Sequence, residues 1–448
     1  MSKKITLPQA VSTILETLQQ AGFEAYAVGG CVRDVLMGRT PADWDITTSA
    51  RPQQVKALFR RTIDTGIQHG TVTVMVGDDG FEVTTYRIDG EYLDGRHPEE
   101  VTFTASLSED LKRRDFTINA MAYNDESGLV DLFGGQEDLA AGMIRCVGTA
   151  RERFREDALR MMRAVRFSAQ FGYEIEAETL DAMKELAPNL AKVSAERIQT
   201  ELLKLAVSAH PEMLRVAYES GLTAVFFPEF NVAMETPQHS PHHCYSVGEH
   251  TLHAMMQIRA DKVLRLAMLF HDIAKPVCKS TDAQGIDHFK GHPAKGAEMT
   301  RQILRRLKFD NDTIAKTCRL VQYHDWEIHA EETPRALRRA VARIGEQYFP
   351  EMFEVNRADI LAQHPEGQAQ KLAKIAALET IYRDVTAKKQ CLSLKDLAVK
   401  GSDLIAAGLT PGKGLGDVLQ RMLEDVIEEP SHNEAAYLLS HVKDFQEG

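Results

Sequence analysis

The sequence predicts an α/β head built on a small mixed sheet, followed by a mostly α-helical neck, body and tail. Three observations lead there. Strand-like patterning is concentrated before residue 102: an apolar run at Ala25–Val28, a short segment Trp44–Ile46, and two alternating segments around an Asp78-Asp79-Gly80 turn. Beyond that point apolar spacing follows a helical period to the end of the chain. At 448 residues the chain is also too long for one core, so it divides into separate bodies, expected at 1–145, 146–230, 231–380 and 381–448.

Composition narrows the function classes. Apolar content of 44% and charged content of 26% are ordinary for a soluble globular protein, and no run of eighteen apolar residues exists to span a membrane. The first residues, MSKKITLPQAVSTILETL, read as a cap and an amphipathic helix, not a signal peptide. Six cysteines are scattered with no CxxC pair, which fits a reducing cytoplasm and argues against a zinc knuckle or disulfide framework. A net charge of −12 excludes a protein coated in positive charge, but basic stripes remain at Lys112–Arg114 and at Arg151, Arg153, Arg155, Arg160, Arg163 and Arg166. Phosphate affinity is set by such local stripes.

Taken in order, Ala25–Val28 reads as a strand, Gly29-Gly30 as a sharp turn, and Cys31–Met37 as one or two helical turns. Asp43 and Asp45 then flank Trp44 at alternate positions of a second strand, so both carboxylates point to one face. Such a pair repels itself strongly unless cations intervene, which suits Mg²⁺ and two-metal phosphoryl transfer. The glycine turn lets backbone N–H groups approach a triphosphate, and Arg33 adds a cationic fork. RPQQVKALF is a helix opened by Pro52, and Glu82 starts the second strand of the following hairpin, a surface strand residue unless that strand lies beside the aspartates, where Glu82 can join them. DGEYLDGRHPEEV, residues 89–101, has loop composition. SLSEDLKRRDFTINAMAY reads as a capped helix or helix edge carrying Lys112, Arg113 and Arg114. In EDALRMMRAVRF, Asp157, Arg160, Arg163 and Arg166 recur every three residues, a polar ridge beside an apolar stripe. Asp157 and Arg160, an acceptor and a donor one turn apart, can imitate a Watson–Crick edge. SAERIQTELLKL is another capped helix. From His239 the chain turns histidine-rich, and near the end PGKGLG separates two helices.

The string GGCVRD…DWDITT resembles the nucleotidyltransferase superfamily of DNA polymerase β, and within it the class II branch, the bacterial CCA-adding enzymes and poly(A) polymerases. That resemblance implies a polymerase β-like head, an RNA-binding and nucleotide-selecting neck, and a C-terminal tRNA-binding tail. It implies C, C and A addition to tRNA 3′ ends from CTP and ATP, without a nucleic-acid template. Asp43 and Asp45 are then the catalytic Mg²⁺ ligands. Gly30, Arg33, Arg114, Asp157, Arg160, Arg163 and Arg166 bind nucleotide, and Glu196-Arg197 brace the neck. The order His250, His271-Asp272, Asp325 resembles the H…HD…D pattern of HD-domain phosphohydrolases, with His292 and His324 available for a second ion or a phosphate. Imidazole with carboxylate suits a divalent transition metal. Expected partners are tRNA, CTP and ATP, with no membrane and no protein partner. The rivals are a poly(A) polymerase, a partial adder of CC or A, and an HD phosphohydrolase with an inactive RNA-gripping head; a non-catalytic RNA-binding module ranks last. TGIQHGTVTV, EDALR and PGKGLG favour CCA addition over the first.

Overall fold

Seven strands form the head sheet in the order β3-β4-β5-β2-β1-β8-β9 in a computed structural model that describes residues 4–89, 101–240 and 244–447. The strands are β1 (Ala25–Val28), β2 (Ile46–Thr48), β3 (Thr62–Gly66), β4 (Thr71–Val76), β5 (Asp79–Thr85), β8 (Met121–Asn124) and β9 (Gly128–Asp131), while β6 (Arg87–Asp89) and β7 (Val101–Phe103) pair separately. Every neighbour is antiparallel except β2 and β5, so the sheet is mixed as expected. β1 has all four residues buried, which explains an unbroken apolar run where a half-exposed strand would alternate.

Helix α1 (Gln9–Gln20) buries Val11, Ile14, Leu15 and Leu18, a spacing that makes one apolar face, and these join Ala25, Ala27, Ile46, Val72 and Val83 in the head core. α2 (Gly30–Leu36) and α3 (Pro52–Leu58) follow β1 and β2. α4 (Leu107–Lys112) is capped by the Ser106 hydroxyl, which accepts from the Glu109 N–H. Two expectations are corrected here. The segment after α4 returns to the sheet as β8 and β9, which reads as helix edge in sequence because four-residue runs carry too little periodicity. Asp43 and Asp45 lie on the extended lead-in to β2, since the strand begins only at Ile46. The loop expected at 89–101 falls largely outside the described residues.

After α5 (Gly135–Ala141), the neck begins with α6 (Ala150–Glu156) and α7 (Leu159–Phe171), then α8 (Ala177–Leu186) and α9 (Ala195–Ala206). A break separates α6 from α7, with Asp157 at φ −141° and ψ 104°, so Asp157 is not on the helix that carries Arg160, Arg163 and Arg166.

The chain divides into two compact units, Met1–Pro228 and Glu229–Gly448. Three short helices, α10 (Leu214–Glu219), α11 (Leu222–Phe226) and α12 (Pro228–Glu235), lead from one to the other. Among its described residues the second unit's regular structure is helical apart from a two-residue strand pair at 280–281 and 287–288. It contains α13 (Val247–Met256), α14 (Lys262–Phe270), α15 (Lys275–Cys278), α16 (His292–Arg306), α17 (Asn311–Tyr323), α18 (Pro334–Ile344), α19 (Phe349–Ala362) and α20 (Gln368–Ala387). α21 (Gly401–Ala406) and α22 (Lys413–Glu428) then bury Leu404, Val418, Met422 and Val426 in an apolar cluster of their own with Leu438 and Val442. Among the described residues no helix is long and apolar enough to cross a membrane.

Candidate functional sites

The first site forms where β1 ends. Gly29 has φ 80°, a conformation that demands glycine, and a Cβ there would meet the tip of Arg114, Nη1, at 2.9 Å and displace it. The Val28 N–H donates to the Asp45 carbonyl at 3.0 Å, which pins the lead-in to β2 beside the glycine turn. Asp45 is raised from its ordinary pKa by desolvation and then by Asp43; Glu82 adds to this and Arg114 opposes it. Four charged side chains therefore share one field, three acidic and one basic. Arg114 is held by Asp110 at 3.5 Å, while its Nε is buried with no hydrogen-bond partner among the described residues. An unsatisfied buried N–H next to a carboxylate cluster suits an anion carried in with cations.

Arg33 is fixed on three sides. Its Nε and Nη2 donate to Asp34 Oδ1 at 2.9 and 2.7 Å, its Nη1 donates to Asn119 Oδ1 at 2.6 Å, and its guanidinium lies 4.8 Å from the Phe171 ring centroid. Asn119 in turn donates to Asp115 Oδ1 at 3.1 Å, and Arg163 donates to Asp115 Oδ2 at 2.7 Å. Burial opposes ionisation of Asp115, yet Arg163 and the Asn119 amide outweigh it and hold its pKa well below the usual carboxylate range. Burial likewise works against Asp110, and Arg113, Arg114 and Thr47 overcome it.

The ridge read as nucleotide-binding divides into two parts. Asp157 Oδ2 accepts from Arg197 Nη2 at 2.7 Å, and Asp157 Oδ1 accepts from the Leu159 N–H at 3.0 Å. Arg160 donates to Glu156 at 2.6 Å and to the Arg113 carbonyl at 2.9 Å. These two lie where chain segments from α4, α6, α7 and α9 converge. Arg166 is buried, donates to Glu201 at 2.5 Å and to Gln170 at 2.7 Å, and stacks on Phe167. Arg163 lies between Asp115 and Glu201, its Nη1 4.0 Å from the latter. Asp115, Asn119 and Glu201 escaped the sequence reading. Asn119 stood in the DFTINA string, and Glu201 stands four residues after Arg197, one turn along the same helix.

The second site lies in the helical body. His250 from α13, His271-Asp272 at the end of α14, His292 at the start of α16 and His324 at the end of α17 converge, all buried except half-buried His292. Each imidazole turns its Nδ1 to a backbone carbonyl: Ala362 at 3.3 Å, Met268 at 2.7 Å, Phe289 at 2.8 Å and Val321 at 2.8 Å, respectively. A carbonyl accepts only, so Nδ1 carries a proton and all four Nε2 atoms face inward. Asp272 stands between the rings. Its Oδ2 is 3.2 Å from His271 Nε2 and 3.6 Å from His250 Nε2; its Oδ1 is 3.4 Å from His292 Nε2 and 3.6 Å from His324 Nε2. Neither oxygen has an aligned hydrogen-bond donor among the described residues although both are buried. The Lys275 ammonium, 2.7 Å from Oδ2, offsets part of this buried charge, and the imidazole Nε2 atoms on either side of Asp272 fit it to share divalent cations with them.

Asp325 stands at the start of the turn Trp326–His329, and neither it nor Asp359 is among the clustered ligand atoms; Asp359 on α19 places Oδ1 2.8 Å from His250 Nε2 and 3.6 Å from His271 Nε2. Behind the site, the Asn356 amide donates to the His324 carbonyl and to Glu327 Oε2 at 2.7 Å, and accepts from Trp326 Nε1 at 2.9 Å. Glu327 is buried, and desolvation, with the Asp359 and Asp325 charges, pushes it up to about 8.

Comparison with known proteins gives a consistent neighbourhood. A profile of the Poly A polymerase head domain matches residues 25–145, a "Probable RNA and SrmB- binding site of polymerase A" matches 172–234, and tRNA nucleotidyltransferase domain 2 matches 293–442. The chain is 35% identical to a CCA-adding enzyme of Lactiplantibacillus plantarum over 97% of this chain and 96% of that protein. It is 56% identical to one from Leuconostoc mesenteroides over 210 residues, 46% of this chain and 52% of that one. A solved Bacillus stearothermophilus CCA-adding enzyme in complex with CTP superposes with a TM-score of 0.72 at 30% identity, covering 98% of both chains. A Thermotoga maritima CCA-adding enzyme complexed with tRNA shares the fold, with a TM-score of 0.60 at 19% identity.

Proposed function

The chain belongs to the family of CCA-adding enzymes, and from that premise we propose how its residues divide the work. The protein is a nucleotidyltransferase that adds C, C and A to tRNA 3′ ends, using CTP and ATP. Asp43 and Asp45 would hold two Mg²⁺ ions, with Glu82 as a third carboxylate. Bound there, Mg²⁺ supplies activation of the tRNA 3′-hydroxyl and stabilisation of the departing pyrophosphate. Arg114 directs its unpaired Nε to a triphosphate oxygen, and Gly29-Gly30 keep side chains out of the way. Arg33 keeps its fork in place through Asp34 and Asn119. Asp157 and Arg160 present an acceptor and a donor to the base, each locked by a neighbour, while Arg163 and Arg166 brace the neck. The carrying observation is that Asp43, Glu82 and Arg114 all act electrostatically on Asp45, while the Nε of Arg114 is buried without a hydrogen-bond partner among the described residues.

The test is incorporation on a tRNA lacking its 3′ CCA, with Mg²⁺ and with CTP and ATP offered singly and together. Two additions with CTP alone and three with both are expected. A long ladder with ATP alone would instead make it a poly(A) polymerase.

The inward Nε2 atoms around Asp272 favour a second reading in the same chain, a phosphohydrolase site. His250, His271, Asp272 and Asp359 would hold one divalent transition metal, and His292 and His324 with Asp272 a second. Such ions supply a water acidified enough to attack phosphorus at neutral pH. Release of p-nitrophenol from p-nitrophenyl phosphate by Mn²⁺-loaded protein, lost in His271→Ala, is the expected result; equal rates in both proteins would refute it. Scattered free cysteines support a cytoplasmic location.

A further inference from the structure

The buried charge that Asp272 would share with cations is already matched by one the chain supplies. Lys275, three residues on, is 6% exposed and brings Nζ to 2.7 Å from Asp272 Oδ2, the oxygen shared by His250 and His271. Nζ also donates to Gln238 Oε1 at 2.9 Å and lies 5.3 Å from the centre of the Phe289 ring. A carboxylate buried to this extent cannot stay ionised without a counter-charge, and an ammonium at 2.7 Å is one. Lysine is a compact point charge on a flexible stem, so it can leave one oxygen for another acceptor without moving the backbone. Gln238 is the acceptor already in reach.

We propose that Lys275 is a resident cation of the second site, a positioning residue that holds Asp272 and the four imidazoles assembled and must yield Oδ2 when a divalent ion binds. The inference rests on the metal-binding reading of that site. Its consequence has a definite sign. If Lys275 merely buttressed the ligands, removing it would loosen the site and weaken metal binding. If it competes for Oδ2, removing its charge tightens metal binding and destabilises the protein without metal.

The experiment uses full-length protein carrying Asp43→Ala and Asp45→Ala, which silences metal binding in the head. Mn²⁺ affinity is measured by isothermal titration, and melting is recorded in chelator and in saturating Mn²⁺. Lys275→Met and Lys275→Gln are compared with Lys275→Arg; Gln keeps a donor for Asp272 without the charge and guards against a variant that fails to fold. Both uncharged variants should bind Mn²⁺ at least tenfold more tightly, melt lower in chelator and gain more from Mn²⁺. The arginine variant should restore the parental pattern. Unchanged or weaker Mn²⁺ affinity in the uncharged variants overturns the proposal. Failure of the parent to bind Mn²⁺, with His271→Ala no different, overturns the metal reading first and the proposal with it.

Discussion

Glu327 offers a measurement in which the structure sets both sign and size. It is 7% exposed, and burial raises its pKa from 4.5 to about 8. Below 4.5 the carboxyl is protonated whether the chain is folded or not. Between 4.5 and about 8 the folded protein keeps that proton and the unfolded chain has lost it, so folding stability falls as pH rises. The loss is about 1.4 kcal/mol per pH unit, or about 5 kcal/mol across the window. Glu327→Gln keeps a carbonyl oxygen for the Asn356 amide and removes the ionisation. The variant and parent should be nearly equal at pH 5, and the variant should lead by roughly 3–5 kcal/mol at pH 8.5. The chain has two tryptophans, and Trp326 stands next to Glu327, bonded to the same Asn356. In a Trp44→Phe background its fluorescence reports urea unfolding of this region alone, which matters because a two-unit chain need not unfold in one step. Chelator is included so that no cation in the neighbouring site alters the titration. Parallel pH profiles for parent and variant would refute the argument, since they would mean that Glu327 ionises normally in the fold.

The head site yields sharper functional outcomes. Asp43→Ala with Asp45→Ala should reduce nucleotide addition to below about a thousandth of the parent while tRNA affinity, read by filter binding, stays within about twofold. Arg197→Met should release Asp157 and raise misincorporation of UTP or GTP by about tenfold, with a smaller fall in the rate for CTP; a large rate loss at unchanged fidelity would count against base reading by that pair. In the body, Asp359→Asn should weaken Mn²⁺ binding by about tenfold or more and Asp325→Asn should not, as isothermal titration would show; the reverse pattern would reinstate Asp325.

The parts legible in the sequence were those whose partners lie close along the chain. Gly29-Gly30, Asp43 and Asp45 fall within one strand–turn–strand segment, so their meeting follows from local geometry. The sheet was read as small and mixed, but β8 and β9 were missed because a strand of four residues is specified by the strand it pairs with, here β1, nearly a hundred residues earlier. The approach of Asp359 to His250 was missed for the same reason. Asp359 lies 109 residues from His250, and nothing in NRADILAQHP marks one aspartate of α19 as the one that faces α13. Asp325 was attractive because it follows His324 directly, but adjacency in the chain does not say where its carboxylate lies.

The arginine ridge shows where periodicity stops being informative. Spacing every three residues states that Arg160, Arg163 and Arg166 share a flank of α7, but not what faces that flank. Opposite Arg163 stands Asp115, 48 residues away, and opposite Arg166 stands Glu201, 35 residues away; these acids turn two of the three arginines into cross-braces. The break at Asp157 matters more for function. On a continuous helix, Asp157 and Arg160 would share one rigid backbone and their spacing would be set by helical pitch alone. Here Asp157 is held by Arg197 from α9, while Arg160 is held by Glu156 from α6 and by the Arg113 carbonyl at the end of α4. On the proposed base-reading role, acceptor and donor are therefore fixed from separate elements, each with its rotamer locked before a base arrives. A protein surface that substitutes for a templating base needs that property, because a side chain free to rotate could pair with a wrong base as readily as a right one.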